Sequence, residues 1–440
     1  MPSLAIIGSG ISGLGAAWFL RHHYDLTVFE AGGHIGGHTH TATVDEDGRP
    51  VPIDTGFMVF NHVTYPHLTR LFDTLGVPTK PTDMSFSVQH RPRGIEYRGT
   101  SLNTLFAQRR NLLRPSFYRL LLQIDRFNRD ALAALQDPAL GGLALGEYVR
   151  RGRYGDDFLE LYLLPMTSAV WSTPPEKMLR FPAATLLRFF HNHGFLGLHT
   201  QHPWWTVEGG AQEYVRRLVD PFRHRIHLHT PARAVRRLPG GGVEVATDAA
   251  TTRFDKVVLA CHAPTSLALL GAGATAEERR LLDPFRYQAN AVVLHTTAAV
   301  MPRARLAWSA WNYRLDAPAA PQPAAPLRTS THYWMNRLQG VSQKRDYFVS
   351  LDADHLIDDA TVLGRYAEEH PLFDIAAAAA QAEIPTLNAA AAGTTETYFA
   401  GAWQRYGFHE DGLLSAHRLA TQLLGHDAWE TAPGGARPRP

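Results

Sequence analysis

Residues 4–13, LAIIGSGISG, decide the fold. The apolar run Leu4–Ile7 reads as a short buried strand and Ser12–Arg21 reads as a helix. Between them stand Gly8, Gly10 and Gly13 in G-x-G-x-x-G spacing. Gly8 permits the tight turn, Gly10 lets the backbone approach a pyrophosphate, and Gly13 lets helix and strand pack closely. The helix start, with Ile11 and Ser12, offers unpaired N–H groups to the phosphate charge. Leu26–Glu30 reads as a second strand, so the chain opens as a βαβ unit with minimal turns. Glu30 ends that strand, where a carboxylate accepts hydrogen bonds from an adenosine ribose and disfavours the 2′-phosphate of NADP.

Outward from this unit, 440 residues with 45% hydrophobic content suffice for two or three cores. A formal net charge of +2 gives no general reason to expect a nucleic-acid partner. Cys261 is the one cysteine, which rules out an intrachain disulfide framework and fits a reducing, cytoplasmic compartment. The N-terminal apolar run has no basic residues before it and is broken by glycines, unlike a signal peptide. No stretch has the length and purity of a transmembrane helix, so the sequence reads as soluble, or at most docked on the inner face of a membrane.

Tyr65–Leu75 reads as a helix, Phe86–His90 with Ile95–Arg98 as a hairpin, and Leu102 to about His193 as mostly helical. Ile226–His229, Ala232–Arg236, Val243–Ala246 and Lys256–Ala260 read as strands. So do Tyr287–Thr296, Leu306–Tyr313, Arg328–Met335 and Thr397–Ala400, with a closing helix from about Asp411 to Leu424. The Ala/Pro run Asp316–Pro326 reads as a surface loop, and 431–440 as a disordered tail. The alternation predicts an α/β protein: a Rossmann-like nucleotide domain over 1–85, 203–285 and 386–430, interleaved with an α+β substrate domain over 86–202 and 286–385.

A second glycine pair, Gly36-Gly37, leads into His38-Thr39. The run Glu30–Thr39, EAGGHIGGHT, resembles the fingerprint of the flavin-containing amine oxidoreductase superfamily, the group of monoamine oxidases, phytoene-type desaturases and protoporphyrinogen oxidase. The resemblance extends through Asp54-Thr55-Gly56-Phe57, Val207-Glu208-Gly209-Gly210, Pro231-Ala232, and Tyr398-Phe399-Ala400-Gly401 with Glu410-Asp411-Gly412. It implies a non-covalently bound FAD. Its pyrophosphate would pass Gly36, Gly37, His38 and Thr39, its ring Gly56 and Phe57, and its adenine Ala232. The segment of Gly401, Asp411, Gly412 and Leu413 would aim a helix N-terminus at the flavin pyrimidine. More narrowly, GAWQRYGFHEDGLLSA and EHPLFD resemble a bacterial subgroup linked with modification of fatty acyl chains.

The sequence departs from the amine oxidases in several places. His38 stands where the family has Arg, a weaker phosphate partner than a bidentate guanidinium. The strand YQANAVVL over 287–294 has no counterpart of the amine oxidase lysine, and Lys80, Lys177, Lys256 and Lys344 all lie elsewhere in sequence. Cys261 lies outside the position of a covalent flavin link and reads as a small buried residue. An ungapped match at Gly412 puts His409 in place of a cage tyrosine, and a shift of one puts Phe408 there. His409 reads either as a catalytic group holding a proton, with a pKa near neutrality, or as a cap of the following helix.

Trp204, Trp205, Trp308, Trp311, Trp334 and Trp403 give candidates for an apolar tunnel or for ordinary core. Arg109, Arg110, Arg114, Arg119, Arg126 and Arg129 around an apolar stripe suit either a solvated helix or one lying on an anionic membrane. The histidines at 34, 38, 40, 191 and 193 sit in contexts that do not favour a metal site. The expectation is an FAD-dependent oxidoreductase that takes a hydride from a hydrophobic substrate, a lipid acyl chain, as a dehydrogenase or desaturase. A redox-neutral double-bond isomerase, an amine oxidase and a non-catalytic flavin-binding partner of a lipid-modifying enzyme remain open. A single dinucleotide fingerprint leaves no second site for NAD(P)H.

Overall fold

The computed structural model describes residues 1–197, 200–318 and 326–430. Most of the Ala/Pro run and all of the C-terminal tail lie outside the described residues.

The opening strand, Ser3–Ile7, sits at the centre of a five-stranded parallel sheet. Its neighbours are Asp25–Phe29 on one side and Lys256–Leu259 on the other, with Ile226–His227 and Thr397–Phe399 at the edges. Strands from four separate stretches of chain thus complete one sheet. A continuous apolar run suits a strand covered on both faces, and Leu4, Ala5 and Ile6 are wholly buried. The helix Ile11–Leu20 is buried along its whole length, because Gly13 and Gly15 let its neighbours approach from two sides.

A second, seven-stranded sheet runs in the order Val362–Leu372, Arg286–His295, Phe348–Leu351, Arg328–Trp334, Trp311–Asp316, Phe86–His90, Ile95–Arg98. All neighbours are antiparallel except Trp311–Asp316 with Phe86–His90. Helices between Leu102 and Asn192 gather an apolar cluster around Phe127, Phe158, Leu187 and Phe190.

Several elements of the structure differ from the sequence reading. Arg305–Ala307 is a single 3₁₀ turn, and the strand read over Leu306–Tyr313 runs instead over Trp311–Asp316. Asn312 is the cause: its side chain takes the Ser309 N–H at 2.9 Å and returns a bond to the Ser309 carbonyl, which holds a turn there. Val362–Leu372 is a strand and Ile375–Ala391 a helix, neither of which the sequence reading contained. The closing helix starts at His409, two residues before the expected Asp411.

Candidate functional site

Gly8, at φ +103°, closes the turn after the first strand and donates its N–H to the Phe29 carbonyl at 2.8 Å. A Cβ on Gly13 would meet the Gly8 carbonyl oxygen at 2.0 Å, so helix and strand are as close as backbone permits. A Cβ on Gly10 would meet nothing within 4 Å. The second glycine pair lies directly against the first. Gly36 donates to the Ser9 carbonyl at 3.0 Å, and a Cβ on Gly37 would stand 3.0 Å from Gly10 Cα. No side chain caps the first helix, and the N–H groups of Ile11, Ser12 and Gly13 meet no acceptor among the described residues. A buried helix start without an acceptor suits a bound anion, and this cradle fits the pyrophosphate of FAD.

Glu30 ties the cradle together. One carboxylate oxygen accepts from Ser9 N at 2.8 Å and Ser9 Oγ at 2.6 Å, and the other accepts from Gly32 N at 2.7 Å. Thr230, two residues before Ala232, donates its N–H to the Glu30 carbonyl at 2.8 Å. The segment that leads into Ala232 therefore lies beside Glu30.

Phe57 and Thr55 donate to the carbonyls of His38 and His40 at 2.8 and 2.9 Å, and a Cβ on Gly56 would overlap His38 O at 2.0 Å. Asp54 anchors this pairing from beneath. Its buried carboxylate accepts from Ala211 N at 2.9 and 3.0 Å, from Thr41 Oγ1 and from Gln339 Nε2. Burial pushes its pKa up to about 6, and those hydrogen bonds hold it from rising further.

At the C-terminal helix Phe408 is the N-cap residue, and the carboxylate of Asp411, in the first turn, accepts its N–H at 2.9 Å. His409 is the first helical residue and caps nothing, which corrects that alternative. A Cβ on Gly412 would meet Ile11 Cγ2 at 2.7 Å and Ser12 Oγ at 2.9 Å. Leu413 packs at Gly15, where a Cβ would come within 2.9 Å of its Cδ1. Two helix N-termini, from opposite ends of the chain, thus converge at one place. Gly401 is held there by donating to Ser415 Oγ at 2.9 Å.

His409 lies inside a polar triangle. Its Nε2 stands 2.8 Å from Thr39 Oγ1 and 2.7 Å from the Tyr214 hydroxyl, and those two oxygens are 2.5 Å apart. The imidazole stacks on Phe57 with centroids 3.9 Å apart and planes within 14°. Burial, with the nearby His38 adding to it, lowers its pKa to about 3, so the ring is neutral at ordinary pH. That corrects the expectation of a pKa near neutrality: His409 is a fixed neutral hydrogen-bonding group.

Phe408 faces the other way, toward the helical insert, with Phe189 at 5.2 Å and Trp171 at 5.9 Å. Trp171 donates its indole N–H to the Tyr406 carbonyl at 3.0 Å. Of the six tryptophans singled out from sequence, Trp403 reaches this region: it lies over Gly401 and donates to Cys261 O at 3.2 Å. Trp308 and Trp334 pair edge-on in a different core with Phe348.

Sequence reasoning missed Tyr214, Trp171 and Phe189, and it missed the edge of the seven-stranded sheet. His38 turns to that edge, with Nε2 3.2 Å from Glu368 Oε2 and 3.1 Å from the Glu369 carbonyl. His262 Nδ1 lies 3.2 Å from Glu369 Oε2 while its ring stacks on Tyr287 at 4.0 Å. His370 Nδ1 lies 2.8 Å from Asn290 Oδ1. The signal was present in the EHPLFD motif, which holds Glu369 and His370. A Cβ on Gly407 would touch Pro371 and Phe373, so the two narrower motifs pack on each other. One lysine is nearer than sequence distance suggested: Lys177 donates to the Gln288 side chain on Arg286–His295, but at the exposed surface. Among the described residues, no group of three or more His, Cys, Asp or Glu side chains could hold a metal.

The family model described as "Flavin containing amine oxidoreductase" matches residues 11–300. A carotenoid phi-ring synthase from Streptomyces griseus is 28% identical over 290 residues, covering 62% of this chain and 54% of that protein. The chain thus aligns with about half the length of that relative. Cyclohexylamine oxidase from Brevibacterium oxydans has the same fold at a TM-score of 0.65 and 16% identity, covering 96% of this chain and 99% of that one. A CLA-producing fatty acid isomerase from P. acnes superposes at 0.64 with 15% identity, covering 96% and 98%.

Proposed function

Because the chain belongs to the flavin-containing amine oxidoreductase family and is a flavin-dependent oxidoreductase, we propose that it holds FAD without a covalent bond and dehydrogenates a lipid acyl chain. The observation that carries the substrate class is the wall beside the two converging helix N-termini. Its two sides are Phe57, stacked on the neutral His409, and Phe408, packed with Phe189 and Trp171 toward the helical insert. A cationic amine would find neither an acidic nor an easily protonated partner in that wall, whereas an apolar chain would lose nothing by entering it.

Bound in the cradle, FAD supplies a hydride acceptor for an activated C–H bond of the substrate. The residues of the chain do the rest. Gly10, Gly36, Gly37 and the start of the first helix would hold the pyrophosphate, and Glu30 the ribose. The N-terminus of the His409–Leu424 helix would offer its positive end to negative charge on a flavin bound there. Thr39 and Tyr214 fix the plane of His409, and the aromatic wall excludes water. Two of the relatives bear names that fit an apolar substrate, a carotenoid ring and a fatty acid.

The test is to incubate holoenzyme with phospholipid carrying unsaturated acyl chains and to analyse the chains afterwards. Loss of two hydrogens per modified chain supports the proposal. A double bond moved without loss of hydrogen reassigns the enzyme as an isomerase. Untouched chains together with peroxide release from polyamines would make it an amine oxidase, and untouched chains alone would leave a binding partner.

A further inference from the structure

The helical insert carries a surface that the flavin site does not use. Leu113, Leu102 and Leu122 are 87%, 75% and 69% exposed, and Leu112 and Tyr118 are exposed beside them. The turns and helices that bear them are tied to one another. Arg109, in the turn Arg109–Leu113, bonds the Phe106 carbonyl at 2.9 Å and the Asn103 side chain at 2.7 Å, which fixes the turn to the helix Leu102–Leu105. The Tyr118 hydroxyl donates to the Leu112 carbonyl at 3.0 Å, which fixes the same turn to the helix Pro115–Ala134. That helix buries Phe117, Leu120, Phe127 and Ala131. At 3.6 residues per turn, Leu122 points directly away from them, with Arg119, Arg126 and Arg129 on either side.

The charge on this face is one-sided. Between Leu102 and Ala134 stand six arginines and two aspartates, in a chain whose net charge is +2. Asp125 and Asp130 are engaged by Arg129 and Arg126. Among the described residues, Arg109, Arg110, Arg114 and Arg119 form no ion pair with a carboxylate. Large apolar side chains on a soluble surface are ordinarily scattered, and a cluster of protruding leucines set among arginines is the pattern of a face that enters a headgroup layer. A second copy of this face would bring like charges together, so self-association is the weaker fit.

We propose that this face docks on an anionic phospholipid bilayer. Leu113 and Leu122 enter the acyl boundary, and Arg114 and Arg119 pair with lipid phosphates. The face adjoins strand Ile95–Arg98, at the opposite edge of the seven-stranded sheet from Val362–Leu372, the strand that meets His38. It is therefore an anchor distinct from the flavin site and stands whether or not an acyl chain is the substrate.

Sedimentation of the holoprotein with vesicles tests it. Binding is expected to phosphatidylcholine vesicles containing phosphatidylglycerol at low salt, weakened about tenfold or more by high salt or by omission of the anionic lipid. The double variants Leu113→Glu/Leu122→Glu and Arg114→Glu/Arg119→Glu should each lose that binding while keeping wild-type flavin content and spectrum. Leu113, Leu122 and Arg119 are exposed and Arg114 is half-buried, and flavin content reports that the fold is intact. Failure of the wild-type protein to bind anionic vesicles at low salt overturns the proposal, and so does binding that both double variants retain.

Discussion

His409 Nε2 and the Tyr214 hydroxyl oxygen stand 2.7 Å apart, joined by a side chain, Thr39, that follows the second glycine pair. Three segments that are remote in sequence therefore fix one neutral imidazole beside the cofactor cradle. Replacing His409 with Gln should keep flavin content and slow flavin reduction about tenfold or more, through loss of positioning. Because burial holds the imidazole pKa at about 3, the variant should keep the shape of the wild-type pH–rate profile. A wild-type limb near neutrality that disappears in His409→Gln would show that the ring titrates in catalysis.

Two glycines of the first motif should fail differently. Gly10 has φ −71° and open space at its Cβ position, so Gly10→Ala should fold with little change in melting temperature and yet lose bound flavin. At Gly13 a Cβ would overlap the Gly8 carbonyl, so Gly13→Ala should destabilise the fold by about 1–3 kcal/mol or more. Flavin content and thermal unfolding of the two variants separate the roles. Equal flavin retention in wild type and Gly10→Ala would contradict the cradle.

Asp54 links three segments through buried hydrogen bonds, from Ala211, Thr41 and Gln339. Asp54→Ala strands those donors without an acceptor, and denaturant unfolding should show a loss of about 2–4 kcal/mol. Asp54→Asn keeps part of the network and should cost less.

Stability should depend on pH in two opposed ways. Burial lowers His67, His193 and His295 to about 4 and His370 and His409 to about 3, while His332 is also lowered. A histidine lowered on folding stabilises above its unfolded pKa of about 6.5, and that stability drains away as pH falls below it. Glu410 is raised to about 8 by burial, so its contribution is complete below its unfolded value and is lost as pH rises toward 8. Melting temperature should therefore climb from about pH 4 to 6.5 and then decline, and Glu410→Gln should flatten the decline. A melting temperature independent of pH across this range would contradict the buried neutral histidines.

The first strand, the glycine motif and Glu30 were legible in sequence because their constraints are local: period, turn and cap all act within a few residues. The helix Ile375–Ala391 was not, because nine of its seventeen residues are alanine and offer little contrast between faces. The strand Val362–Leu372 holds Glu368, Glu369 and His370 in succession, a polar pattern that reads as loop until its partner Arg286–His295 is known. Tyr214 stayed hidden for the same reason. It sits on an ordinary amphipathic helix, and only the close of the fold brings its hydroxyl to His409. The pKa of His409 was not legible either, because burial, which sets it, is a property of the assembled core.

The most direct test is the visible spectrum of the purified holoenzyme, recorded without oxygen as extracted bacterial phospholipid is added. Bleaching of the flavin bands, with a new double bond in the recovered acyl chains, is the result the account predicts. Flavin bands that persist, with every acyl chain unchanged, would contradict it.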